Sequence, residues 1–198
     1  MENKTELMRQ IKEEVVNGKD LPLYAERVKN NVFPVIGEGS HDAKIMFIGE
    51  APGRNEAATG RPFCGAAGKL LDEFLASISL PRSAVYITNI VKDRPPMNRD
   101  PLPEEIVAYG PFLDRQIEII QPKIIATLGR FSMGYIMEKF GLGAFLKSIS
   151  QMHGQEFLGQ ASYGQISIVP LYHPAAAIYN RASRDVHFQD FKILAKLV

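Results

Sequence analysis

The sequence predicts an α/β fold, a three-layer α/β/α sandwich around a central, mostly parallel four-stranded sheet. Four short apolar runs rich in β-branched residues recur along the chain. None of these runs alternates with polar residues, which is typical of strands that are covered on both faces. Segments with helical periodicity separate the runs, and this alternation favours parallel pairing through right-handed crossovers.

The predicted strands are KIMFIG (44–49), AVYITNI (84–90), KIIATLG (123–129) and ISIVPLY (166–172). Helical periodicity predicts helices over 68–78, 103–120, 130–140 and 184–197, and a proline lies in the first turn of the second of these. An N-terminal helix is predicted over about 5–16, followed by coil to residue 39. The glycine-rich segment 141–164 is compatible with a short β-hairpin or with a loop.

Composition limits the class of protein. With 198 residues and 45% hydrophobic content, we expect one domain over 1–198, in which residues 1–40 pack on the α/β core. The net charge of +1 shows no global preference for polyanions, so any nucleic-acid contact must come from a local patch. Cys64 is the only cysteine, which excludes an internal disulfide and a cysteine-ligated cluster. We expect a cytoplasmic protein with no bound metal and no membrane association.

The ends of the predicted strands suggest one shared site. In an open parallel sheet, ligands bind beyond the carboxyl ends of the strands, where the loops converge. Those loops carry Glu50, Asn89, Arg130 and His173. The sequence therefore predicts a polar site that the topology assembles.

The block GEAPGRNEAATGRPFCGAAG (49–68) follows the first strand. Each of its glycines can be a simple turn residue, but together they indicate a backbone that a flat or anionic ligand approaches closely. Their spacing matches neither a P-loop nor a dinucleotide-binding turn, which disfavours a nucleotide cofactor. The glycines are Gly49, Gly53, Gly60, Gly65 and Gly68.

Several side chains at this edge have two interpretations. Glu50 is either an acceptor of backbone N–H groups or a catalytic carboxylate, and Glu56 is interpreted as solvated. Asn89 is either a turn residue or a partner for an amide-like ring edge. Phe63 is a candidate stacking platform for a base, and His173 is held by the rigid frame of the proline that follows it.

Other residues have simpler interpretations. Cys64 is expected to be a buried filler rather than a nucleophile. Arg130, Arg181 and Arg184 are candidate phosphate contacts, although a scattered arginine is usually a solvated surface residue. Lys92 is the lysine closest to the site, and we interpret it as a phosphate contact or a surface residue rather than as the nucleophile of a lyase.

Four blocks of the chain resemble family 4 of the uracil-DNA glycosylases. The block at 49–68 is similar to GEAPGxxExxxGxPFxGxAG, and residues 88–101 are similar to TNIVKxRPPxNRxP. Residues 111–129 resemble the linking helix and strand, and HPAAA at 173–177 resembles the closing motif. The resemblance extends from about residue 21 to residue 197.

The resemblance implies a monofunctional DNA-repair glycosylase that flips uracil out of single- or double-stranded DNA, hydrolyses its N-glycosidic bond and leaves an abasic site. The alternatives are a non-catalytic binder of damaged DNA or an enzyme for another deaminated base such as hypoxanthine. The implied catalytic residues are Glu50 and His173, with Glu56 as the second candidate for handling water. Uracil binding is assigned to Gly49, Ala51, Phe63, Asn89 and His173. DNA binding is assigned to Gly53, Gly60, Arg130, Pro174, Arg181 and Arg184, and we expect a monomer.

The chain departs from the family pattern at two places. Family 4 carries four cysteines that bind a 4Fe-4S cluster, and the corresponding positions here are Gly18, Leu21, Asp93 and Gly110. We therefore expect no cluster and no other cofactor, with packing or hydrogen bonds replacing the contact that the cluster would make. Tyr179 stands where the family more often has an arginine, and Arg181 is a candidate substitute.

Overall fold

The computed structural model describes residues 3–179 and 181–197, and the side chains at 179, 181 and 182 lie outside the described part. The strands are β1 Glu38–Gly39, β2 Ile45–Gly49, β3 Tyr86–Asn89, β4 Ile124–Leu128, β5 Phe157–Ala161 and β6 Gly164–Leu171. The helices are α1 Lys4–Asn17, α2 Tyr24–Asn30, α3 Arg54–Thr59, α4 Ala66–Ser77, α5 Pro103–Ile120, α6 Arg130–Lys139, α7 Ile149–Met152, α8 Ala176–Tyr179 and α9 Arg181–Leu197.

One sheet organises the fold, in the order β1-β3-β2-β4-β6-β5. The four predicted strands are β3, β2, β4 and β6, and they pair in parallel, which confirms the α/β class. The sheet is larger than the four strands predicted, because β1 and β5 add antiparallel edges. The segment 141–164, for which a short hairpin or a loop was expected, contains α7 and one strand, β5, and β5 forms a hairpin with the predicted fourth strand, β6.

Helices cover both faces of the sheet. Successive residues of β2 alternate between two buried clusters: Met46 and Ile48 pack in one, and Ile45 and Phe47 in the other. The first cluster also contains buried residues of α1, α5 and α6, and the second contains buried residues of α4 and α9. Burying an aromatic or aliphatic side chain contributes about 1.5–3 kcal/mol, so these clusters fix both layers on the sheet.

The N-terminal region contains more structure than predicted. Residues 17–39 were expected to be coil, yet they hold α2 and the short edge strand β1. The predicted N-terminal helix is present as α1, and α5 has the predicted bounds. Among the helices of the described residues, none has both the length and the apolar character that crossing a membrane would require.

The strand register places the loops level with one another. Gly49 of β2 lies opposite Asn89 of β3, and Leu128 of β4 lies opposite Leu171 of β6. Because these strands are parallel, the residues that follow them emerge at the same edge of the sheet.

Candidate active site

A cavity of about 430 Å³ lies at the carboxyl edge of the sheet. Its volume falls within the range of about 300–1,000 Å³ that is typical of small-molecule sites. The structure brings seven of the predicted site residues to its wall: Glu50, Ala51, Gly53, Glu56, Phe63, Asn89 and His173. The strand ends therefore converge on one concave space.

Phe63 is held at the wall in a strained backbone conformation. Its φ is +46°, in the left-handed region that side chains other than glycine rarely adopt. Gly68 of α4 permits this, since a Cβ atom there would lie 1.7 Å from the Phe63 carbonyl oxygen. Gly49 makes room for the ring, since a Cβ atom there would lie 2.7 Å from Phe63 Cζ and 2.3 Å from Asn89 Oδ1. Strain of this kind persists only where the surrounding structure enforces it.

Asn89 ends β3 with its side chain at the cavity. The residue is only 2% exposed, yet its amide has no hydrogen-bond partner in the part of the chain that the structure describes. Because the amide faces the cavity, it is suited to a ligand that offers one donor and one acceptor.

Lys92 holds the backbone of Asn89 in place through a hydrogen bond. Its Nζ donates to the Asn89 carbonyl oxygen at 2.6 Å, to Gln116 Oε1 at 2.6 Å and to Thr88 Oγ1 at 2.9 Å. Lys92 is fully buried, and burial lowers its pKa well below the ordinary lysine value. The interpretation of Lys92 as a phosphate contact or a surface residue is therefore wrong.

His173 presents a neutral imidazole. Burial, with a contribution from the nearby His187, lowers the pKa of His173 to about 4, against the opposing effect of Glu56. The Ala175 N–H donates to Nδ1 at 3.2 Å, so the ring proton lies on Nε2. The rings of His173 and Phe63 lie side by side, with centroids 5.7 Å apart and planes at 34°. A flat ligand can therefore meet an aromatic face and an N–H donor together.

Glu50 is a half-buried carboxyl with no hydrogen-bond partner for its side chain among the described residues. Burial raises its pKa to about 7; Asp100 also raises it and Arg130 lowers it. A carboxyl group with a pKa near neutrality can accept a proton at working pH. This separates Glu50 from the alternative of a structural acceptor of backbone N–H groups.

Glu56 has that structural arrangement instead. Its Oε1 accepts the N–H groups of Cys64 at 3.0 Å and Gly65 at 2.9 Å, at the N-terminus of α4. A carboxylate is stabilising at this end of a helix. Glu56 lines the cavity and is only half-buried, so solvent still reaches it, but the sequence interpretation missed that the backbone holds one of its oxygens.

Most of the residues assigned to DNA contact lie away from the cavity wall. Arg130 forms an ion pair with Asp100. Arg184 forms one with Glu73. Gly60 ends α3, Pro174 is buried, and neither lines the cavity. The side chain of Arg181, like that of Tyr179, lies outside the described part of the chain.

Six further residues of the cavity wall were missed. The loop between β3 and α5 contributes three of them, although the RPPMNRDP sequence that forms it was recognised as part of a block. The signal was available in Pro95 and Pro96, which lie in the loop after β3 and mark a rigid turn at the ligand edge. The missed residues are Pro52, Ala67, Pro95, Asn98, Arg99 and Ala175.

Comparison with known proteins identifies the family. The model of the uracil DNA glycosylase superfamily matches residues 36–195. The chain is 48% identical to the type-4 uracil-DNA glycosylase of Sulfurisphaera tokodaii, over 96% of this chain and 84% of that protein. The chain belongs to the type-4 uracil-DNA glycosylase family. Type-4 relatives from Archaeoglobus fulgidus (45% identity, 86% of this chain and 84% of that protein) and Thermotoga maritima (40%, 92% and 89%) agree.

The residues at the four positions expected for the family's cluster cysteines do not fit a 4Fe-4S cluster, because such a cluster is held by cysteine thiolates. A Cβ atom at Gly18 would lie 2.7 Å from Leu21 Cδ1, and one at Gly110 would lie 2.4 Å from the Tyr135 hydroxyl. These neighbours fill the space that side chains at 18 and 110 would need. No group of three or more His, Cys, Asp or Glu side chains with metal-binding geometry occurs within 3–179 and 181–197.

Asp93, the third of these positions, belongs to a buried polar network. Arg27 Nη1 donates to both Asp93 oxygens, at 2.9 and 3.0 Å, and the Tyr109 hydroxyl donates to Oδ2 at 2.7 Å. Arg27 Nη2 also donates to the carbonyl oxygens of Val15 and Val16 at the end of α1. We call Arg27, Asp93 and Tyr109 the N-terminal clamp, since they join α1 and α2 to the loop after β3 and to α5.

Proposed function

We propose that this protein is a monofunctional DNA-repair glycosylase, which hydrolyses the N-glycosidic bond of uracil in DNA and leaves an abasic site. The observation that supports this most directly is the cavity wall, where the unpaired Asn89 amide lies with the adjoining rings of Phe63 and His173. Family membership supports the same conclusion. The substrate is DNA, single- or double-stranded, and the working unit is a monomer in the cytoplasm.

Recognition follows from the chemistry of the uracil edge. Uracil offers an N3–H donor beside the O4 acceptor, and the Asn89 amide offers the complementary pair, Oδ1 and Nδ2–H. Cytosine presents an acceptor and a donor in those places, so it would pair only if the amide turned by about 180°. Phe63 stacks on the flipped base, and stacking contributes about 1–3 kcal/mol per base.

Catalysis uses His173 and Glu50. As the C1′–N1 bond breaks, its electron pair moves into the uracil ring and charge develops on O2. The His173 Nε2–H donates to that oxygen as a fixed neutral donor. The Glu50 carboxylate stabilises the cationic sugar and accepts a proton from the water whose oxygen bonds to C1′. Glu56 completes the wall by fixing the start of α4.

The test is release of base from oligonucleotides that carry one deoxyuridine, with thymine and hypoxanthine strands beside them. Removing one oxyanion donor costs about 100- to 1,000-fold in rate, so His173→Ala should lose at least that much. Asn89→Ala should also lose most of its uracil release, because it removes the pairing with the uracil edge. The melting temperatures of both variants should stay close to that of the parent. Asn30→Ala and His41→Ala make the same chemical changes outside the cavity and should leave release unchanged. Preferential release of hypoxanthine, or binding without release, would replace uracil cleavage as the function.

We also propose that this member of the family works without an iron-sulfur cluster. The support is the single cysteine of the sequence, Cys64, the packing at Gly18 and Gly110, and the hydrogen bonds of Asp93. Purified protein should contain no stoichiometric iron, and incubation with a chelator should change neither uracil release nor the melting temperature. Iron at four atoms per chain would overturn the proposal.

A further inference from the structure

An exposed apolar side chain projects from the rim of the cavity. Met97 lies in the loop between β3 and α5 and is 90% exposed, more than any other large hydrophobic residue among those described. Its sequence neighbours Pro95, Asn98 and Arg99 line the cavity. A single exposed apolar side chain is common on protein surfaces. Met97 differs because of the conformation and the place in which it is exposed.

The backbone at Met97 is strained. Met97 has φ +55° and ψ 20°, and Asn98 has φ +54°, so two successive residues other than glycine adopt the left-handed conformation. This conformation costs free energy for any L residue with a Cβ atom. Because the Met97 side chain is in solvent, the fold gains no apolar burial in return. Strain that persists without a packing benefit is typical of functional sites.

The loop is fixed on both sides of its tip. The Asn98 N–H donates to the Pro95 carbonyl oxygen at 3.1 Å, and Arg94 Nε donates to Asn98 Oδ1 at 2.6 Å. Arg99 donates to both Glu105 oxygens, at 2.6 and 2.9 Å. The backbone around Met97 is therefore held rigidly, while the Met97 side chain itself is free to move. The terminal nitrogens of Arg94 have no partner among the described residues and can meet a phosphate.

We propose that Met97 is a wedge that enters the base stack of duplex DNA beside the flipped nucleotide. The proposal rests on the proposed function, since it assigns a further residue to the same substrate. Proteins that unstack duplex DNA insert apolar side chains between base steps. A methionine suits this because it is long, unbranched and polarisable. A wedge matters only where a stack must be opened, so the contribution of Met97 belongs to the duplex and not to the single strand.

The experiment compares the parent with Met97→Ala, Met97→Leu and the control Val107→Ala, which truncates another exposed apolar residue on α5 that does not line the cavity. Uracil release is measured from one oligonucleotide as a single strand, in a U·A duplex and in a U·G duplex. For Met97→Ala, the ratio of duplex to single-strand release should fall about tenfold or more. The fall should be smaller for U·G, whose mismatch is easier to open. Met97→Leu should restore the ratio, and Val107→Ala should retain it.

A second measurement does not depend on cleavage. A 2-aminopurine beside a non-hydrolysable 2′-fluoro-deoxyuridine reports unstacking as a gain in fluorescence when the protein binds the duplex. The gain should be reduced in Met97→Ala and restored in Met97→Leu. If the parent releases no uracil while this dependence on Met97 holds, the proposed function is wrong and the wedge stands. An unchanged ratio and an unchanged fluorescence gain in Met97→Ala would overturn the wedge.

Discussion

Two buried polar groups four residues apart, Asn89 in the cavity and Asp93 in the N-terminal clamp, are treated by the fold in opposite ways. Both are at most 2% exposed. Asp93 accepts three hydrogen bonds from Arg27 and Tyr109, whereas the Asn89 amide has none within the described residues. Between them, Lys92 fixes the Asn89 carbonyl oxygen. The fold therefore satisfies the hydrogen-bonding groups of Asp93, which joins its elements. At Asn89, which faces the cavity, it fixes only the backbone.

The two carboxyl groups on these loops extend the comparison. Burial raises the pKa of both Asp93 and Glu50 above their ordinary values. Arg27 and Tyr109 oppose that effect at Asp93, while Glu50 has no hydrogen-bond partner among the described residues. A raised pKa means that ionisation of either carboxyl costs stability. Removing Asp93 also leaves the Arg27 guanidinium buried without its partner, whereas removing Glu50 leaves no hydrogen-bond partner unpaired among the described residues. Substitutions at these two positions are expected to change stability with opposite signs.

The largest effect is expected at the clamp. Asp93→Ala leaves the Arg27 guanidinium buried and unpaired, and breaking a buried pair in this way costs about 3–5 kcal/mol. Chemical denaturation at pH 7 should show that loss in the free energy of unfolding. Uracil release per folded molecule should remain close to that of the parent, because Asp93 does not line the cavity.

The double variant Arg27→Met with Asp93→Leu tests whether the loss comes from the unpaired charge. Replacing a buried ion pair by apolar residues of similar volume is often neutral. The double variant should therefore be more stable than Asp93→Ala and should approach the parent. Equal losses in the single and double variants would show that the clamp is not an isolated pair, and a loss below 1 kcal/mol in Asp93→Ala would contradict the comparison itself.

Some of these features could be predicted from local sequence patterns. The four parallel strands and α5 could be predicted because apolar runs and Pro103 are local signals. The convergence of Glu50, Asn89 and His173 follows from topology, so it could be predicted as well. β5 could not be predicted, because it is not a continuous apolar run. Its buried and exposed residues alternate, and it includes Gly159.

The N-terminal clamp and the contacts of Lys92 and Glu56 could not be predicted from the sequence. Arg27 and Asp93 are 66 positions apart, and no periodicity relates an arginine on α2 to an acid after β3. The burial of Lys92 depends on Gln116, which is 24 positions away on α5. The contact of Glu56 with the backbone was missed because its partners belong to the start of a different helix. Each missed contact joins a polar side chain to a group on another element.

A smaller effect of opposite sign is expected at Glu50. Its pKa is raised from 4.5 to about 7, so between these pH values the folded state holds a proton that the unfolded state has released. Stability that depends on Glu50 therefore falls as pH rises through this window. Glu50→Gln removes the group and should be more stable than the parent by about 1 kcal/mol at pH 8, a value that allows for solvent screening of a half-exposed group. At pH 4 the two proteins should have equal free energies of unfolding.

Glu50→Gln should lower the rate of uracil release although it raises stability. If the ionised Glu50 carboxylate accepts the proton of the attacking water, uracil release by the parent should rise as pH passes through about 7, and Glu50→Gln should lose both most of the rate and that rise. Glu104→Gln, the same change on the exposed first turn of α5, should alter neither profile. Thermal melts and single-turnover release at pH 4 to 9 measure both quantities. A Glu50→Gln protein that is less stable than the parent at pH 8 would mean that the carboxylate has structural partners, and the cavity would then resemble the clamp.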